Sequence, residues 1–322
     1  MDLDASEHKA QCTALIVGGF HRSGTSMLMQ ALSRAGLRLA EDLLPANPSN
    51  PDGHFEDRAI VDLHGTMLAA ADRYWYTPGG QLSDDINPKY ASRAQQIIDG
   101  YQTGSAGDRC TAWGFKDPRV CLFIDWWDAL LAQPAGVIVF RHYSECFRSL
   151  RQRQAQGLVY NPRDGHENLF FWQQTELALQ LWLDSNRALL NWLKKRSEDT
   201  RQPAPLLVSC QSLLNGYDLI GAVNQRFGWC LDERASSGIR RHQSRNSHPP
   251  VTADVNLKRD LDELLAELDA LADSSHPEAL NDQPGESTTA RESSSRRTGL
   301  LHALRLDGST CLLYTSPSPR DS

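Results

Sequence analysis

The stretch Ala14-Leu-Ile-Val-Gly-Gly-Phe-His-Arg-Ser-Gly-Thr-Ser-Met-Leu28 constrains the chain more than any other. Ala14 to Val17 is an apolar run of strand length. Gly18 and Gly19 end it, and a polar turn comes next. From Ser26 onward the apolar residues Met27, Leu28, Ala31, Leu32 and Ala35 fall at helical spacing. Strand, glycine-bearing loop and helix bring backbone N–H groups and the positive end of a helix dipole to one spot. That spot favours a bound anion.

The rest of the chain repeats the alternation. Ala46 to Gly53 is punctuated by Asn47-Pro48, Asn50-Pro51 and Asp52-Gly53 and reads as a loop. His54-Phe-Glu-Asp57 then leads into a helix with an apolar stripe at Ile60, Val61, Leu63, His64, Met67, Leu68 and Ala71. Ala91 to Tyr101 reads as another helix. Thr111 to Lys116 reads as a strand, with Asp117 as the cap and Pro118 as the first residue of the next helix. Val120 to Leu131 is the apolar body of that helix. Gly136-Val-Ile-Val-Phe140 is apolar throughout, as a strand covered on both faces of a parallel sheet should be.

A helix runs from Arg141 to about Gln154. Gln156 to Asn168 is polar, carries Gly157, Pro162 and Gly165, and reads as a loop of the kind that forms active-site lids. Leu169 to Trp192 reads as the longest helix, Pro205 to Ser209 as a strand, and Leu219 to Phe227 as a helix closed by Gly228. Strands alternating with helices imply βαβ units, and the expected fold is α/β: a P-loop-like three-layer arrangement with a mainly parallel central sheet flanked by helices.

Leu257, Leu261, Leu264, Leu268 and Leu271 are spaced four, three, four, three. That pattern spans too few heptads for a coiled coil and reads as a terminal helix docked on the core. The domain is expected over residues 12–273, after a polar segment at 1–11 that does not read as a signal peptide. From Ser274 onward Ser, Thr, Pro, Glu and Arg dominate, so 274–322 reads as a disordered tail. Its last twelve residues, from Cys311, read as a non-native addition.

Composition removes several function classes. The net charge of −7 lacks the basic excess of a nucleic-acid binder. No run approaches the roughly 20 apolar residues of a membrane span. The seven cysteines are dispersed, without a Cys-x-x-Cys pair or zinc-like His spacing, and read as reduced thiols of a cytoplasmic protein. No metal is implied. A homodimer stays open.

Gly19 and Gly24 have the spacing of a Walker A loop, but Thr25 stands where that loop carries Lys. An NTPase uses that Lys on the β- and γ-phosphates. Here the strong cation of the loop is Arg22. Arg22-Ser-Gly-Thr-Ser26 resembles the 5′-phosphosulfate loop of sulfotransferases that use 3′-phosphoadenosine 5′-phosphosulfate (PAPS). In bacterial sulfotransferase-domain proteins of this family a Lys or Arg precedes Ser-Gly-Thr, and its charge sits on the phosphosulfate. Three further stretches carry the resemblance. In Arg141-His-Tyr-Ser-Glu-Cys-Phe-Arg-Ser149, the Arg ends a strand and the Ser lies eight residues on. The family uses such a pair for the 3′-phosphate, with Arg as a forked charged donor and Ser as a hydroxyl. A capping Arg and a surface Ser are the plain alternative.

Trp113-Gly-Phe-Lys-Asp-Pro-Arg119 resembles a segment whose Lys faces the sulfuryl group, which assigns Lys116 to the leaving group. Asp117 reads as a cap or as a partner of Arg119. Asn47 to Asp57 resembles the Asn-Pro-x-Gly-x-Phe-Glu segment of the family. Transfer to a hydroxyl needs a base near the attacking oxygen. Glu56 is the first candidate, then His54, then Glu41. Ile239-Arg240-Arg241 is either a late basic segment for the 3′-phosphate or a solvated turn.

The resemblance thus implies a PAPS-dependent sulfotransferase acting on an acceptor hydroxyl of a carbohydrate or small metabolite. Arg22, Ser23, Gly24, Thr25 and Ser26 would hold the 5′-phosphosulfate, and Arg141 and Ser149 the 3′-phosphate. A P-loop nucleotide kinase-like enzyme and a non-catalytic nucleotide-binding protein of the same fold are the alternatives.

Overall fold

The computed structural model describes residues 13–47, 50, 52–82, 88–103, 112–131, 134–160, 165–238 and 248–273. The segments 1–12, 239–247 and 274–322 lie outside them. The readings of a polar N-terminus, a basic Arg240-Arg241 turn and a disordered tail therefore fall outside the described residues.

Four strands form one sheet: β1 (Ala14–Gly18), β2 (Trp113–Lys116), β3 (Ala135–Phe140) and β4 (Leu206–Ser209). Their order is β2-β1-β3-β4, and every pairing is parallel. The first apolar run of the sequence is thus a central strand. Strand side chains alternate between faces, and the core divides accordingly. Ile16, Phe115, Ile138, Phe140 and Leu207 pack into one hydrophobic cluster. Leu15, Val17, Val137, Val139 and Val208 pack into another. This is the three-layer α/β fold expected of a sheet that is apolar on both faces.

Helix α1 (Thr25–Arg34) covers one face through Leu28, Met29 and Leu32, together with α9 (Leu219–Phe227) and the short α8 (Cys210–Leu214). The other face carries α2 (Arg58–Ala70), α3 (Pro88–Thr103), α4 (Ile124–Leu130), α5 (Tyr143–Tyr160), α7 (Leu177–Glu198) and α10 (Val255–Leu271). Trp192 of α7 lies so close to β3 that a Cβ on Gly136 would come within 2.3 Å of its ring. Helix α10 docks through Leu261, Leu264 and Leu268, all buried, while Leu271 is exposed.

Three boundaries differ from the sequence reading. Residues Gln156 to Tyr160 belong to α5, and α6 (Gly165–Gln173) takes Gly165 to Asn168; residues 161–164 lie outside the described residues. The expected lid loop is therefore largely helix; Gly157 is tolerated because α6 packs on it, with Asn168 within 2.4 Å of where its Cβ would be. The long helix expected from Leu169 is two helices, α6 and α7, parted at residues 174–176. The helix expected from Val120 begins as a 3₁₀ turn, Pro118–Leu122, before α4. Among the described residues no helix is long and apolar enough to cross a membrane.

Candidate active site

All four strands point their C-terminal ends the same way, and ligands of open α/β sheets gather at that edge. Gly18, Lys116, Phe140 and Ser209 end the four strands there. The chain beyond each end contributes to one cleft of about 280 Å³, lined by His21, Arg22, Gly24, Thr25, Ser26, Asn50, His54, Glu56, Lys116, Arg141, Arg153 and Cys210, among others.

The loop between β1 and α1 is built for close approach. A Cβ at Gly19 would sit 2.6 Å from the Val139 carbonyl oxygen, so only glycine lets the loop lie against β3. Gly24 is the N-cap of α1 at φ +99°, left-handed backbone that glycine adopts without strain. Arg22 also has positive φ, at 69°, which costs an L-residue about 1–2 kcal/mol. Strain of this kind concentrates at ligand sites. The first N–H groups of α1 have no partner within the helix and open toward the cleft at Gly24, Thr25 and Ser26.

The charged groups are crowded. Arg22 donates from Nε to Ser149 Oγ at 2.9 Å. Arg141 pairs with Glu145 at 2.7 Å and donates to the Arg22 carbonyl oxygen at 3.4 Å. Burial lowers the pKa of Arg22 from its ordinary value, and the charges of Arg153 and Arg141 lower it further. The cations Arg22, Lys116, Arg141 and Arg153 line the cleft, against the carboxylate of Glu56.

Glu56, just before α2, and Lys116, at the end of β2, form a buried, hydrogen-bonded ion pair. Burial raises the Glu56 pKa despite the lysine, and burial lowers the Lys116 pKa despite the carboxylate. His54 Nδ1 lies 3.9 Å from Glu56, and desolvation followed by Lys116 keeps its ring neutral. Ser26 donates to the His54 carbonyl oxygen at 3.2 Å and accepts from Asn50 Nδ2 at 3.2 Å, which ties the Asn47–Asp57 segment to α1.

Behind Lys116 lies a second buried network. Asp117 accepts from the backbone and guanidinium of Arg119 and meets His64 Nδ1 at 2.9 Å. Trp127 donates to His64 Nε2 at 2.8 Å, so His64 is a neutral ring with its proton on Nδ1. Asp117 is thereby held ionised, well below the usual carboxylate range, by Arg119 and His64 against its own burial. It is a structural anchor for the strand end that presents Lys116.

Of the residues singled out from sequence, Arg22, Gly24, Thr25, Ser26, His54, Glu56, Lys116 and Arg141 line this cleft. Ser23 does not: its hydroxyl is buried against Cys146 Sγ at 3.7 Å and its N–H serves the turn, bonding to the Phe20 carbonyl. Ser149 stands beside the cleft, its hydroxyl taken by Arg22 rather than shared with Arg141. Glu41 is exposed and lies outside the lining. Sequence reasoning missed His21, Asn50 and Arg153. Arg153 lies four residues past Ser149 on one helix, a spacing that places both on the same face.

No family model matches the chain, and no curated protein matches it. Among solved structures it is similar to the sulfotransferase domain from the Synechococcus PCC 7002 olefin synthase, at 15% identity and a TM-score of 0.46, over 84% of this chain and 98% of that one.

Proposed function

We propose that this chain is a cytoplasmic sulfotransferase that moves a sulfuryl group from PAPS to an acceptor hydroxyl on a carbohydrate or small metabolite. The observation that carries the reading is the convergence of Arg22, Lys116, Arg141 and Arg153 on a glycine-shaped loop at the C-terminal edge of the sheet, with the buried Glu56 at the same spot. A donor with a 3′-phosphate and a 5′-phosphosulfate is polyanionic. Arg22, whose pKa burial and then the charges of Arg153 and Arg141 lower, fits such a molecule, because a bound anion offsets that repulsion.

In this reading Arg22 and the N–H groups at Gly24, Thr25 and Ser26 bind the 5′-phosphosulfate, and Arg141 with Ser149 binds the 3′-phosphate. Lys116 neutralises charge on the departing phosphate. Glu56 takes the acceptor's proton, which its raised pKa favours, and His54 Nδ1 stands 3.9 Å from the same carboxylate oxygen that Lys116 meets. A new S–O bond to the acceptor forms as the S–O bond to the donor phosphate breaks, and adenosine 3′,5′-bisphosphate leaves. A kinase reading would want a Lys where Thr25 stands.

Incubation of the full chain with sulfur-labelled PAPS and a mixed library of alcohols and sugars tests the proposal. Transfer of label to a library member is expected. Tight binding of adenosine 3′,5′-bisphosphate with no transfer to any member would favour a non-catalytic nucleotide binder instead.

A further inference from the structure

His64 is fully buried in α2, and none of the roles assigned above uses it. Polar ties join the segment 56–64 to the segment 116–119 along its length. Glu56 pairs with Lys116, the Val61 carbonyl oxygen accepts from Arg119 Nη2 at 2.9 Å, and His64 Nδ1 donates to Asp117 Oδ2 at 2.9 Å. The two side chains assigned to the proton and the leaving phosphate thus stand on segments that are clamped together again behind them. The ring of His64 is held on both sides. It stacks on Phe123, with centroids 4.5 Å apart, and its Nε2 accepts from Trp127 Nε1 at 2.8 Å. A second proton on the ring would break the bond to Trp127, so His64 is a neutral donor aimed at one carboxylate.

That carboxylate is already well supplied. Asp117 Oδ1 accepts from the Arg119 backbone N–H at 2.9 Å, and Oδ2 accepts from Arg119 Nη2 at 2.6 Å. With His64 also on Oδ2, both oxygens are engaged away from Lys116, whose ammonium goes to Glu56. A buried ion pair adds little net stability over packed apolar groups, so stability alone does not account for this array. Its charge has a direct consequence for the site. After burial and the attraction within the Glu56–Lys116 pair, the charge of Asp117 is the strongest influence on each partner, and it pushes both pKa values upward. Arg119 opposes it at Glu56 and Arg153 at Lys116, and His54 stands 3.9 Å from Glu56. A hydrogen bond to an ionised carboxylate tempers that charge and fixes where it sits.

We propose, resting on the sulfotransferase reading above, that His64 is a positioning residue for the reaction: its Nδ1–H holds the Asp117 carboxylate away from Lys116, and so keeps the lysine on Glu56 and sets the field that both groups feel. Trp127 is the third member of the array, because its N–H keeps the proton of His64 on Nδ1.

The test compares two amides in place of the ring. His64→Asn puts an N–H where Nδ1 was and keeps the bond to Asp117. His64→Gln puts its oxygen where Nε2 was, keeps the bond to Trp127 and loses the donor to Asp117. The midpoint of the Glu56 carboxyl is read by carbon-13 NMR titration of the full chain, with Glu56→Gln identifying its signal. Wild type and His64→Asn are expected to share one midpoint. His64→Gln is expected to titrate higher by about half a unit, a fraction of the 1–3 units that a contacting charge gives. Trp127→Phe frees Nε2 to take a proton, so its midpoint is expected to move down, and it carries the test if His64→Gln does not fold. One midpoint in all the variants, or equal shifts in His64→Asn and His64→Gln, overturns the proposal and leaves His64 as core packing. Calorimetric titration with adenosine 3′,5′-bisphosphate tests the underlying reading separately. Wild type that does not bind it, while the midpoints separate as expected, overturns the donor reading and leaves the hold of His64 on the Glu56–Lys116 pair supported.

Discussion

Arg22 donates from its Nε to the hydroxyl of Ser149 at 2.9 Å, so the cation of the loop after β1 is latched to the helix that comes after β3. The two residues stand 127 positions apart in sequence. Arg22 makes this contact from a left-handed backbone conformation, at φ 69°.

Arg22 offers a test that separates the loop's chemistry from its architecture. Arg22→Gly removes backbone strain of about 1–2 kcal/mol and one hydrogen bond of about 1 kcal/mol. Glycine also costs entropy on folding. These terms nearly cancel, so the melting temperature should stay close to that of wild type. PAPS affinity should fall at least about tenfold, because a charge-assisted contact is gone, and turnover should vanish. Unchanged affinity in Arg22→Gly and Arg22→Ala would make the loop purely structural.

The Glu56–Lys116 pair yields a pH prediction. In the proposed transfer Glu56 must be deprotonated, and burial raises its pKa above 4.5, so the rate should climb with pH through a midpoint higher than an ordinary carboxylate's. Lys116 must be charged to receive the leaving phosphate, and burial lowers its pKa below 10.5, so the rate should fall again at alkaline pH earlier than a free lysine would dictate. The profile of kcat against pH should be a bell narrowed from both sides. Glu56→Gln keeps the shape but cannot take a proton, so it should lower kcat far more than PAPS affinity. Full activity in Glu56→Gln beside an inactive His54→Ala would move the base to His54.

Most of the fold was legible because its strands are short apolar runs ended by glycine or charge, and covered strands leave no other reading. The site was legible where a motif kept its residues close in sequence, as in Arg22 to Ser26. What escaped was set by tertiary packing. Arg153 lay within the helix expected to run to about Gln154, but no motif marked it, and which stripe of α5 meets the cleft is set by packing. His64 read as one member of an apolar stripe; its bonds to Asp117 and Trp127 come from elements 53 and 63 residues away. Ser23 looked like a ligand group by adjacency, but the turn directs its hydroxyl toward Cys146.

Histidine burial sets the acid side of stability. His21 is pushed down to about 3 by burial and by Arg153, and His142 to about 4 by burial and by His248, on which it stacks at 3.7 Å. His64 and His54 are lowered as well, each chiefly by burial. In the unfolded chain these rings titrate near 6.5. Between that value and their folded pKa values the unfolded state binds more protons, so stability rises with pH there and falls as pH drops below about 6.5. Glu56 and Asp269, whose pKa values burial raises, act in the opposite sense but are fewer than the four histidines. The melting temperature at pH 5 should therefore lie below that at pH 7, at constant ionic strength. A level or higher value at pH 5 would contradict the four neutral rings.

The last prediction concerns the donor's 3′-phosphate. Arg141 already has a carboxylate, Glu145, at 2.7 Å, and Ser149 already serves Arg22. A 3′-phosphate that binds Arg141 and Ser149 must exchange these contacts, and the carboxylate then faces a phosphate of like charge. Adenosine 5′-phosphosulfate lacks the 3′-phosphate and should bind wild type more weakly than PAPS by about ten- to a hundredfold. Arg141→Ala should erase this preference by weakening PAPS while leaving the 3′-dephospho compound nearly unaffected. Glu145→Gln should widen the preference by a few-fold, because a half-buried pair is worth about 1 kcal/mol or less and its removal frees the guanidinium for the phosphate. Two ligands measured against three proteins isolate the coupling between Arg141 and the 3′-phosphate from changes that affect both ligands alike. Equal affinities of wild type for the two ligands, or equal losses in Arg141→Ala, would detach Arg141 from the 3′-phosphate. If ATP then bound as tightly as PAPS, the kinase-like alternative would stand in place of the sulfotransferase.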